Sequence, residues 1–212
     1  MKLITEYSFR DIVGHFVKMQ FPKGRNAFID PEYDEFIAYV YIDTEAGMTL
    51  EIIGGYKDGQ VRRDPTSSNK VRYSDDIVLE LYDNPDDEML ETAKFIEENY
   101  TPDWIGPVRE NPMYDPYRDK AFPDDMLIPV HTLKEEDGEL VNTAELLWVR
   151  PVLADGEKLF GITIEPGEFF EQETQVAVVR ITSGDYKISA MTLEMLKAIV
   201  ESDDPMSFFR EV

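Results

Sequence analysis

The sequence predicts an α+β fold of mostly antiparallel strands, with about three helices and a C-terminal β-meander. Short β-branched and aromatic runs recur along the 212 residues. Three Asp-Gly pairs, at 58–59, 137–138 and 155–156, suit two-residue hairpin turns, which need positive φ at both central positions. Only three stretches repeat apolar residues at helical spacing. One domain or two small ones can bury a core at this length. The expected division is an N-terminal α+β unit over 1–99, a Pro/aromatic-rich irregular connection over 100–125, and a C-terminal meander closed by a helix over 126–212. A single domain is also compatible with the pattern.

Taken in order, Ser8 followed by Asp11 reads as a capping box. Phe9, Ile12, Val13, Phe16 and Val17 then fall at i, i+3, i+4, i+7 and i+8, an apolar stripe that predicts a first helix. Residues 36–42 carry apolar side chains on both alternating faces, which predicts a central strand covered on both sides. Residues 48–53 are expected to pair with it across a turn at 44–47, and Gly54-Gly55 to mark a bulge or a close backbone contact. Ile77, Leu79 and Leu81 alternate with Val78, Glu80 and Tyr82 as in a half-buried strand.

A second helix is expected to open with Asn84 as cap, Pro85 in the first turn, and Asp86, Asp87 and Glu88 facing the positive end of the dipole. Met89, Ala93 and Ile96 form its inner line, with Leu90 beside it, and it should end near Asn99. Strands follow at 147–153, 158–164, 175–182 and 186–190, with a turn at 183–185. The third helix should run from a Thr192 cap through Leu193, Leu196, Ile199 and Val200, and stop around Ser202. Asp204-Pro205 would start one short terminal turn.

The charge is lopsided. With 44 Asp and Glu against 21 Lys and Arg, the formal net charge is −23. Residues 75–139 hold 20 acids and five bases. A field of that sign repels phosphates, so direct nucleic-acid binding is not expected, whereas a basic protein surface would be attracted. No run of 18 apolar residues is present, so no membrane span is expected. The first residues lack the apolar stretch of a signal peptide, and a cytoplasmic protein is expected.

The chemistry is bounded mainly by what is missing. The absence of Cys excludes disulfides, thiolate catalysis and iron–sulfur ligation. His15 and His131 are the only imidazoles, read as a helix-flank residue and a strand-face residue. There is no Gly-x-Ser-x-Gly elbow and no phosphate-binding glycine loop. Asp83, Asp86, Asp87 and Glu88 lack calcium-loop spacing and read as N-terminal helix acids. Asp185 and Lys187 form an isolated Asp-x-Lys without an identifiable upstream acid. No cofactor and no metal are expected, and no catalytic residue is assigned.

The clearest functional signal is the connection itself. Six of the 13 prolines lie within 100–129, interleaved with five aromatic residues. That composition excludes a long helix and predicts an ordered irregular segment. Trp104, Arg109, Met113, Tyr114, Tyr117 and Arg118 are of types enriched at interfaces, and are the candidate partner-binding residues. The competing reading is that the rings fold back over the sheet. The expected function is a non-catalytic acidic binding or inhibitor protein that engages a basic partner surface, for example a nuclease or another nucleic-acid-binding protein. The alternative is a carboxylate-based hydrolase, with or without a divalent metal.

Overall fold

The apolar stripe that begins at Phe9 does not stay helical. In the computed structural model, which describes residues 1–21, 33, 35–63, 69–156, 158–180, 185–204 and 208, helix α1 covers only Phe9–Ile12. The Asp11 carboxylate accepts from the Ser8 N–H at 2.8 Å, as a capping box requires. Gly14 then takes φ +79°, and its N–H donates to the Val40 carbonyl at 2.8 Å. A left-handed residue ends the helix. Phe16 and Val17, expected on the helix, instead open a strand, Phe16–Gln20. The same residues satisfy both periods, and pairing with the neighbouring strand decides between them.

The chain divides into two units. The first comprises residues 1–102 and 120–123. Its seven strands are β1 (Lys2–Leu3), β2 (Phe16–Gln20), β3 (Glu35–Asp43), β4 (Gly47–Lys57), β5 (Gln60–Arg62), β6 (Asn69–Arg72) and β7 (Val78–Leu81). They pair in the order β1-β7-β2-β3-β4-β5, with β6 also on β4, all antiparallel. β3 is buried along its middle, as its two apolar faces require. Phe36, Ala38 and Val40 join one cluster with Ile4, Ile12, Val17 and Leu50. Ile37, Tyr39 and Tyr41 join the other with Met89, Ala93 and Ile96 of helix α2 (Asp87–Tyr100).

The β3–β4 ladder shifts register between Ile37 and Ala38, leaving Ile53 as the extra residue beside Gly54-Gly55. A Cβ at Gly54 would lie 2.5 Å from the Arg62 carbonyl oxygen, so the backbone approach there needs glycine. Helix α2 is capped by Asp86, whose carboxylate accepts from the Met89 N–H at 3.0 Å, rather than by Asn84. The start slips by two residues because an aspartate in that position can cap equally well.

The second unit comprises residues 103–119 and 124–212. Strands β8 (Met126–Glu136), β9 (Glu139–Asp155), β10 (Lys158–Thr163), β11 (Gln175–Val179) and β12 (Ser189–Thr192) follow one another as a meander and close into a barrel. Five strands alternating in direction leave the first and last running the same way. β12 therefore pairs with β8 in parallel, at Ala190–Val130 and Met191–His131, while the other pairs are antiparallel.

Asp137-Gly138 forms the expected turn, both residues at positive φ. At the next hairpin the expectation is corrected: Asp155 stays in the ladder opposite Lys158, and Gly156 at φ +59° opens the turn. Thr192 caps helix α4 (Leu193–Glu201), accepting from the Met195 N–H at 3.2 Å. Met195 is its buried residue, whereas Leu193 and Val200 are exposed. The turns expected at 183–185 and Asp204-Pro205 lie wholly or partly outside the described residues. Among these, no helix is long and apolar enough to cross a membrane.

Candidate functional site

Helix α2 presents the most acidic regular surface of the first unit. Met89, Ala93 and Ile96 fix its inner line. Three of its acids turn inward or pair: Glu97 accepts from the Tyr39 hydroxyl at 2.8 Å and from Thr101 at 2.9 Å, Glu88 pairs with Arg63, which also holds Asp86, and Glu98 lies 3.7 Å from Lys94. Burial, reinforced by Glu97, pushes the Tyr39 hydroxyl well above its ordinary value, so it stays a donor.

Residues three and four apart share a helix face, which puts Asp87, Glu91 and Phe95 in one row with Glu98 beside it. Asp87 and Glu91 form no ion pair with a described residue. Phe95 is 62% exposed and Leu90 is 50% exposed. A like-charged pair at i, i+4 costs an isolated helix about 0.2–0.5 kcal/mol. The surface therefore combines two acids without an ion-pair partner among the described residues, Asp87 and Glu91, with large apolar side chains left half or more in solvent. Near the helix end, Asp43, Glu45, Glu98 and Tyr100 line a recess of about 380 Å³, wide enough for a basic side chain.

The segment 103–119 is ordered and packed within the second unit. Helix α3 (Gly106–Glu110) starts at a Gly-Pro step and buries Ile105 and Val108 in the barrel cluster. Trp104, Met113, Tyr114 and Tyr117 lie half-buried against that same cluster. The Tyr117 hydroxyl accepts from the Lys187 N–H at 2.9 Å, and its ring stacks on Tyr186 with centroids 5.6 Å apart.

Both arginines of the segment are held internally. Arg109 grips Asp124 through two hydrogen bonds of 3.0 and 2.8 Å. Arg118 bonds the Asp115 carboxylate at 3.2 Å and the Val108 carbonyl. The structure thus places all six candidates in one unit, with Trp104, Met113, Tyr114 and Tyr117 packed against its core cluster and both arginines held internally. Ile105 and Val108 were missed as anchors. Their signal was the Ile-Gly-Pro-Val step, a helix start with apolar residues three apart.

The most buried carboxylates, Asp124 and Asp125, are each clamped by a guanidinium. Arg150 holds Asp125 through two bonds of 2.7 Å. Burial pushes the Asp125 carboxyl above its ordinary range, against the pull of Arg150. His131 is on a strand, β8, with Nδ1 3.1 Å from the Asn142 side-chain oxygen and no partner for Nε2 among the described residues. Burial lowers its pKa below the ordinary 6.5. His15 is exposed in the turn after α1, with Nδ1 3.1 Å from the Val13 carbonyl. Among the described residues, no three carboxylates or imidazoles converge to hold a metal ion. Comparison with family models, curated proteins and solved structures finds no match to this chain.

Proposed function

We propose that the protein is a non-catalytic acidic binding or inhibitor protein of the cytoplasm. It engages a basic surface on a protein partner, such as a nuclease or another nucleic-acid-binding protein, and does not itself bind nucleic acid. The observation that carries this reading is the outer face of α2, where exposed Phe95 and Leu90 flank unpaired Asp87 and Glu91. Acids supply long-range attraction to a basic site and speed encounter, while an aromatic anchor supplies short-range contact energy. The acidic recess at the helix end offers a seat for a lysine or arginine of the partner. The segment 103–119 remains part of the proposal as a second contact, through the exposed edges of its half-buried rings.

The test is a low-salt affinity capture with the intact protein and with an Asp87→Asn/Glu91→Gln/Phe95→Ser variant. The reading predicts that the wild type retains a small set of basic proteins, released by raising the salt, and that the variant loses them. Equal capture by both proteins would refute the assignment to α2. A carboxylate hydrolase would show itself differently, as stabilisation by Mg²⁺, Mn²⁺ or Ca²⁺ beyond a matched salt control.

A further inference from the structure

We infer that the barrel unit carries a binding groove for a small organic monoanion: an aryl or short alkyl body bearing one carboxylate or sulfonate group. A recess of about 550 Å³ opens on the wall of the barrel. Sites for small molecules fall at roughly 300–1,000 Å³, largely apolar with a few polar groups that fix orientation. Here the apolar part is supplied by Phe160, Ala177, Ile188, Leu196 and the ring of Tyr114. The Tyr114 hydroxyl has no hydrogen-bond partner among the described residues and is free to donate to a ligand.

Charge selects the class of ligand. Lys158 and Arg180 line the same recess. Leu159 lies opposite Val178, so the two bases sit at one end of the β10–β11 ladder. Neither forms an ion pair with a described residue. Lys18, Arg63, Lys70, Arg72, Arg109, Arg118 and Arg150 have carboxylate partners, whereas Lys158 and Arg180, like Lys57, Arg62 and Lys187, have none among the described residues; what sets these two apart is that both line one recess. Asp155 is the third charged group among the described residues of the recess. Among the described lining residues two cations stand against one acid, a rim of net +1, which matches a single negative group, whereas a dianion would set its second charge against Asp155. The chain's overall negative field is screened beyond about 8 Å at physiological ionic strength, so the rim decides binding there.

The test uses 8-anilinonaphthalene-1-sulfonate, an aryl monoanion that fluoresces in apolar surroundings, and N-phenyl-1-naphthylamine, a neutral aryl counterpart. The intact protein should bind the sulfonate saturably at one site, with its near-ultraviolet circular dichroism unchanged. A Lys158→Gln/Arg180→Gln variant should weaken sulfonate binding by about tenfold or more, because two charge-assisted contacts are lost, and leave the neutral probe nearly unaffected. Leu196→Trp should fill the groove and abolish binding of both. If that variant melts early, Val179→Trp on the neighbouring strand serves instead. The proposal is overturned by non-saturable binding, or by a dye signal that rises only as the near-ultraviolet spectrum collapses. Unchanged sulfonate affinity in the charge variant, or in a well-folded filling variant, would overturn it equally.

Discussion

Helix α2 and the segment 103–119 draw on similar residue types, acids, arginines or lysines, and large aromatics, but dispose of them in opposite ways. In 103–119 the charges find partners inside the unit: Arg109 with Asp124, and Arg118 with Asp115 and the Val108 carbonyl. With those charges satisfied, Trp104, Tyr114 and Tyr117 can lie against the barrel cluster. On α2, Asp87 and Glu91 find no cation among the described residues, and Phe95 stands out in solvent. Internal pairing lets an aromatic segment become part of the core's cover. Unpaired like charge keeps a helix face wet and open to another molecule.

The contrast can be broken at its strongest point first. Trp104→Ala with Tyr117→Ala should destabilise the barrel unit by roughly 4 kcal/mol, since truncating large rings costs 3–5 kcal/mol each when fully buried and less when half-buried. A urea denaturation measures it, and a midpoint close to that of wild type would mean the rings are not part of the cover. Arg109→Leu should cost about 3 kcal/mol by leaving Asp124 buried and unpaired. An Arg109→Leu/Asp124→Leu pair should recover most of that loss, which a double-mutant cycle reads directly.

Acid provides a smaller distinction. Burial depresses the pKa of His131, so the unfolded chain takes up its proton first, and the unit loses stability as the pH falls from 6.5 toward the folded value. His131→Leu should flatten that part of the stability–pH curve. The least effect is expected on α2: Leu90→Ser with Phe95→Ser should shift stability by no more than about 0.5 kcal/mol, as for exposed positions without partners. A loss of several times that size would place those side chains in a packed environment.

Strand order in the meander, the covered central strand β3 and the inner line of α2 were all legible, because each rests on local periodicity strong enough to survive tertiary context. The first helix was misread for a definable reason. Its stripe from Phe9 to Val17 fits a helix, yet Gly14 at positive φ breaks it, and pairing with β3 claims Phe16 and Val17. The Thr192 cap and the span of α4 were legible as well, from the cap residue and the apolar repeat that follows it. At the candidate site, Phe95 was readable in principle. With Met89, Ala93 and Ile96 placed inside, helical spacing sends it to the outer face. The clamps on Asp124 and Asp125 were not readable, since their arginines lie 15 and 25 residues away in sequence and only the fold brings them together.

The central claim is that the unpaired acids of α2 serve recognition rather than solubility alone. The most direct test is the association rate of the intact protein with a purified captured partner, measured between about 20 and about 150 mM salt. The claim predicts a wild-type on-rate that falls about tenfold or more over that range, with the off-rate nearly constant, and a slower, nearly salt-independent on-rate for Asp87→Asn/Glu91→Gln. An on-rate indifferent to salt, or the same for both proteins, would contradict it.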